Sequence, residues 1–123
     1  IFGFSMGSGI AAVFLTHPAF AQARANIRFA IFFAGFLPPH PDDEKALREA
    51  TFPDIATFHG YGLSDEIIVP DRSKDLLSLC DQSKATIYEH PGGHFMPSDA
   101  RKPLADFLKV VYEQIQEEEQ SQA

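Results

Sequence analysis

The sequence predicts an α/β fold: about four mainly parallel strands flanked by helices. Two observations point there. Short apolar runs rich in aromatic and β-branched residues recur along the chain, each closed by Gly or Pro and separated from the next by a helical pattern. The runs are continuously apolar rather than alternating, as strands buried on both faces must be. A doubly wound sheet normally has more than four strands. Residues 1–116 therefore read as the C-terminal part of one larger α/β domain whose N-terminal half is missing, and 117–123 as an acidic, disordered tail.

The elements follow in order. Residues 1–3 are the stub of a first strand. A Gly/Ser turn leads into "IAAVFLTHPAFAQA" (10–23), an Ala-rich apolar helix perturbed at Pro18. "RFAIFFA" (28–34) is a buried strand stopped by Gly35 and Pro38-Pro39. "HPDDEKALREA" (40–50) is a polar helix with acids first and bases later, the order the helix dipole favours. "DIATFHGYG" (54–62) is a second full strand, and "VPDRSKDLLSLCDQS" (69–83) a helix opened by proline. "KATIYEH" (84–90) is the last strand, closed by Pro91-Gly92-Gly93. The C-terminal helix carries Leu104, Phe107, Leu108, Val111 and Ile115 on one face.

Composition narrows the function classes. With 17 acidic against 10 basic residues and a net charge of −7, the chain has no basic patch for a nucleic acid. No apolar run is long enough to span a membrane. A lone cysteine, Cys80, excludes an internal disulfide and a cysteine-based zinc site and reads as a helix-packing residue in a reducing, cytoplasmic setting. No metal or organic cofactor is called for.

Ligands of an open α/β sheet gather beyond the carboxyl ends of its strands. After the first strand comes Gly3-Phe4-Ser5-Met6-Gly7, a G-x-S-x-G; after the third, Gly62-Leu63-Ser64-Asp65; after the fourth, His90-Pro91-Gly92-Gly93-His94. A serine on a sharp strand-to-helix turn needs a strained backbone and close neighbouring chains, which Gly3 and Gly7 would allow, with Gly9 giving further room. The Met6 N–H, at a helix N-terminus, is then a donor for an oxyanion. Serine, acid and histidine in this order form a nucleophilic triad: Ser5 as nucleophile, Asp65 as acid with Glu66 as its rival, and His94 as base in preference to His90. His17, His40 and His59 read as structural or exposed. Phe4, Phe36, Leu37, Phe95 and Met96 stand near the strand ends and are candidates to line an apolar acyl pocket.

The stretches "GFSMGSGIAA", "FAIFFAGFLPP", "HGYGLSDEIIVP" and "HPGGHFMP" resemble the fungal serine hydrolase family, the α/β-hydrolases that include the ovarian-cancer-gene-2 esterases. The resemblance runs from residue 1 to about 110, with "HPGGH" and the proline after it the most specific part. It implies a partial α/β-hydrolase fold, the nucleophile at Ser5, the acid at Asp65, the base at His94, and a small-molecule ester or thioester as substrate. The family usually has Gln where this chain has Met6; only the backbone N–H is needed there. Counting from Val69-Pro70 fits the acid to Glu66, and counting from Gly62 fits it to Asp65. The alternative is a catalytically incomplete fragment that serves as a binding or scaffold piece and self-associates through exposed apolar surface.

Overall fold

The computed structural model describes residues 1–122. It contains β1 (Phe2–Phe4), α1 (Met6–Thr16), β2 (Phe29–Phe33), α2 (Pro41–Glu49), β3 (Ala56–Gly62), α3 (Pro70–Leu77), β4 (Ala85–His90) and α4 (Arg101–Ser121). Short 3₁₀ turns stand at Pro18–Phe20, Gln82–Lys84 and Ser98–Ala100. The four strands form one sheet in the order β1-β2-β3-β4, and every pair is parallel. Among the described residues, no helix is long and apolar enough to cross a membrane.

Side-chain alternation along β2 explains the layering. Ala30 and Phe32 join a core with Ala11, Ala12 and Leu15 of α1, Leu47 of α2 and Leu76 of α3. Ile31 and Phe33 point the other way and pack with Phe58, and with Phe107 and Val111 of α4. Three helices thus cover one face, as right-handed crossovers between consecutive strands require, and α4 returns to cover the other. Phe32, Phe33 and Phe58 are essentially fully buried, each contributing about 2–3 kcal/mol of hydrophobic stabilisation. Phe29 and Phe58 meet Phe107 edge-on, fixing α4 over β2 and β3.

Coverage is uneven. β1 pairs with β2 on one side only, and its other edge is open. Phe2 and Phe4 lie opposite Ile31 and Phe33 in register, on the α4 face, yet remain 48% and 39% exposed because α4 does not reach them. On α1, Met6 and Ile10 are also exposed.

Four expectations change. α1 begins earlier and ends at Thr16, not at 23, because Pro18 lacks an N–H and holds His17 extended (ψ 132°). α3 stops at Leu77, so Cys80 is buried in the turn beyond it rather than on a helix. On α4, Phe107 and Val111 are buried whereas Leu108 is exposed. Where a fraying tail was expected from 117, α4 continues to Ser121, and Glu118 pairs with Arg28 at 2.7 Å; residue 123 lies outside the described residues.

Candidate active site

β1 delivers Ser5 to the carboxyl rim of the sheet. Its backbone has φ 55° and ψ −120°, a conformation that L-residues adopt only under constraint. Three contacts impose it. The Ser5 N–H donates to the Phe33 carbonyl at 2.8 Å, the Ser8 N–H returns to the Ser5 carbonyl at 3.0 Å, and the buried Ser8 hydroxyl donates to the Gly3 carbonyl at 2.9 Å. Gly3 is obligatory, since a Cβ there would stand 2.7 Å from Gly7 O and from Ser8 N and Cα. The matching expectation for Gly7 is corrected: a Cβ there would meet nothing within 4 Å. Serine at a helix start usually caps it, yet the Ser5 side chain makes no capping hydrogen bond, so its hydroxyl is uncommitted. Met6 is the first residue of α1, and its N–H has no partner inside the helix.

Asp65 lies three residues past β3, with its side chain fully buried. Its Oδ1 accepts the N–H groups of Ile67 (2.9 Å) and Ile68 (2.8 Å), and its Oδ2 meets His94 Nδ1 at 2.8 Å. A carboxylate only accepts, so the His94 proton facing it is on Nδ1 and Nε2 is left for another partner. Burial pushes the Asp65 carboxyl up, but the bonds from His94, Ile68 and Ile67 outweigh it and hold it below the ordinary carboxylate value. Glu66 is exposed and takes no part in this contact. The count from Gly62 is therefore the one the geometry follows.

The loops carrying Asp65 and His94 are tied together. The Leu63 N–H donates to the His90 carbonyl (2.8 Å) and the Ser64 N–H to the Gly92 carbonyl (3.0 Å), continuing the β3–β4 ladder past the strand ends. Gly62 permits this, because a Cβ there would drive into the carbonyl oxygens of Gly92 and Gly93. The His94 ring packs against Phe4, centroids 5.1 Å apart, which brings it next to the strand that leads into Ser5. Among the described residues, no hydrogen bond joins Ser5 Oγ to His94; such bonds commonly close only around a substrate.

The other candidates separate. Phe4, Phe95 and Met96 are exposed around the rim. Phe36 is buried under the Arg72 guanidinium, 4.5 Å from its ring, and Leu37 belongs to the core. Phe36 also lines an apolar cavity of about 370 Å³ with Met6, Ile10, Val13, Phe14 and Phe20. His40 and His17 cap the N-termini of α2 and of the 3₁₀ turn after α1, and His59 is buried against Thr57 and Phe32. Two residues that the sequence did not single out complete the scaffold: Ser8, and Ser73, whose hydroxyl donates to the Gly35 carbonyl at 2.7 Å. Their signal would have been a serine on the apolar face of a helix, which is otherwise a poor site for a hydroxyl.

Comparisons with known proteins agree with this fold. The family described as "Serine hydrolase (FSH1)" matches residues 1–104. The zebrafish protein "Esterase OVCA2" is 34% identical over 112 residues, covering 89% of this chain and 48% of the relative. Among solved structures, the Bacillus cereus carboxylesterase superposes with a TM-score of 0.64 at 20% identity, over 89% of this chain and 48% of that one. Zea mays acyl-protein thioesterase 2 gives 0.65 at 16% identity, over 89% and 54%. The fold is that of the α/β-hydrolases, and the chain spans about half the length of each of these three proteins.

Proposed function

Since this chain belongs to the serine hydrolase (FSH1) family, we propose that Ser5, His94 and Asp65 form its catalytic triad and cleave a carboxylic ester or thioester through an acyl-enzyme. The observation that carries this reading is Ser5 itself. It combines a positive φ, a hydroxyl unused for capping and a place at the same rim as a bonded imidazole–carboxylate pair.

Neutral His94 takes the Ser5 hydroxyl proton on Nε2 as Oγ attacks the acyl carbonyl carbon. Asp65 keeps the other ring proton on Nδ1 and stabilises the imidazolium that forms. The carbonyl oxygen, now negative, accepts the Met6 N–H at the positive end of α1. Collapse of the tetrahedral intermediate expels the alcohol or thiol, protonated by His94, and leaves Ser5 acylated. Water then attacks the acyl group with His94 again as base. Full turnover needs a second oxyanion donor, and removing one such donor typically costs about 10²–10³ in rate. Exposed Phe4, Phe95 and Met96 offer apolar contact to the acyl group. A cytoplasmic setting remains part of the proposal, resting on the lone reduced cysteine.

A fluorophosphonate probe tests the nucleophile. It should label the chain, and Ser5→Ala should abolish labelling; labelling that survives Ser5→Ala removes the assignment.

A second reading has its own observation. Residues 1–16 carry no charged side chain, and they present exposed Phe2, Phe4, Met6 and Ile10 beside an open strand edge. Two copies of a chain with net charge −7 could meet there without apposing their acids. In this reading the chain is a self-associating piece without turnover. Gel filtration beside p-nitrophenyl butyrate hydrolysis separates the two: an inactive dimer supports it, and an active monomer excludes it.

A further inference from the structure

We infer that His90 is a positioning residue: by accepting the Gly92 N–H on Nδ1 it fixes the turn that holds His94 against Asp65. The inference rests on the triad reading for its catalytic consequence only. His90 is the last residue of β4 and is 3% exposed, packed between Tyr88 and Phe95 with ring centroids 6.0 and 5.4 Å away. The Gly92 N–H reaches its Nδ1 at 3.2 Å, which places the His90 ring proton on Nε2.

Gly92 is the junction of the two loops. Its N–H goes to His90, while its carbonyl receives the Ser64 N–H one residue before Asp65. The turn from 90 to 94 is thus anchored at its start by the imidazole and across to the acid loop by the backbone. The Phe95 N–H donates to the Gly93 carbonyl at 3.0 Å and the Phe95 ring lies on His90, so the residue after His94 is pinned as well. His94 stands between two fixed points, both of which involve His90. Removing the acceptor frees the Gly92 N–H and lets the loop, with two glycines in it, move away from Asp65.

The test compares His90→Leu, which keeps bulk and burial but accepts no hydrogen bond, with His90→Asn, whose Oδ1 stands near the Nδ1 position. Two readouts are followed in the ¹⁵N-labelled chain. One is the His94 Nδ1–H resonance in its bond to Asp65; the other is the rate of fluorophosphonate labelling at Ser5. His90→Leu should lose or broaden the resonance and slow labelling about 10-fold or more, within the ~10² that a 1 Å misplacement costs. His90→Asn should recover most of both. A His90→Leu protein that keeps the resonance and the rate overturns the inference, as does an equal loss in both variants, which would mean packing alone. A third measurement needs no variant: scalar coupling between the Gly92 nitrogen and His90 Nδ1 across the hydrogen bond must be present in the unmodified chain, and its absence overturns the inference even where His90→Leu does not fold. A chain that no fluorophosphonate labels would count against the triad, while the resonance and the coupling would still decide the role of His90.

Discussion

The two arms of the site are built differently. The acid–base arm spans β3, β4 and the loops after them. It is closed by a continued backbone ladder, a buried carboxylate with three donors and a glycine that lets the loops touch. The arm of the proposed nucleophile is β1 and the start of α1, held by one neighbouring strand and strained at Ser5, with Phe2 and Met6 open to solvent. The first arm is complete within this chain. The second is stabilised from one side only, while carrying the conformational cost of presenting a hydroxyl. In the proposed mechanism, hydrogen-bonded geometry is therefore concentrated where protons would be held, and solvent-exposed surface where the acyl group would be taken.

The largest expected effect sharpens that contrast on the chemical side. Asp65→Asn should leave the fold in place and slow Ser5 acylation about 10⁴-fold, because the amide cannot hold the required tautomer, whereas Glu66→Gln should change the rate less than twofold. Single-turnover acylation with an activated ester measures both. If Glu66→Gln is the damaging variant, the acid assignment falls.

Glycines break the comparison on the structural side. Gly62→Ala forces a Cβ into two carbonyl oxygens of the opposite loop and should destabilise by about 3 kcal/mol or more, a severe case of overpacking. Gly7→Ala meets open space inside a helix and should stabilise by about 0.5–1 kcal/mol. Urea titrations of the two variants give the values; equal effects would mean that Gly62 and Gly7 stand in equally crowded surroundings.

Acid distinguishes the arms next. Residues 1–16 have no titratable side chain, whereas β3 and its loop hold His59 and Asp65. Burial lowers His59 to about 4. Between its ordinary value of about 6.5 and that point the unfolded chain binds a proton that the folded chain does not, so stability falls as pH falls, by about 3 kcal/mol over the window. Asp65, also lowered, adds a further loss as pH drops below the ordinary carboxylate range. Thermal unfolding should show a decline from about pH 6.5 to pH 4, most of which His59→Gln removes. A flat profile in the parent chain contradicts the buried neutral imidazole.

The smallest effect concerns strain beside Ser5. Ala34, at the end of β2, has φ 49°, a left-handed conformation that costs alanine about 1 kcal/mol. Ala34→Gly relieves this at some entropic cost and should raise stability by up to about 1 kcal/mol. A loss instead would mean that the methyl packs better than the backbone is strained.

Much of this is legible in the sequence. The apolar runs marked all four strands within one or two residues, because continuous hydrophobicity and Gly/Pro stops are local signals. G-x-S-x-G marked the bend at Ser5. What stayed open was decided by tertiary geometry. Asp65 and Glu66 are adjacent, and only the short Asp side chain folds back to accept the Ile67 and Ile68 N–H groups while turning its other oxygen to His94. The need for Gly3 and the lack of one for Gly7 depend on what packs nearby, which residue spacing does not reveal. The roles of Ser8 and Ser73 are hard to read from sequence because each acts on a carbonyl remote from its own turn of helix.

The sequential strand order has a kinetic consequence. Phe2 faces Ile31, Phe29 faces Ala56 and Thr57 faces Ala85, separations of 29, 27 and 28 residues. Each pairing closes a chain loop of nearly the same length, so no junction carries a much larger closure entropy than another. Assembly can begin at whichever unit nucleates first and extend one βα step at a time, and α4, which follows β4 in the chain, packs against the opposite face of the layer.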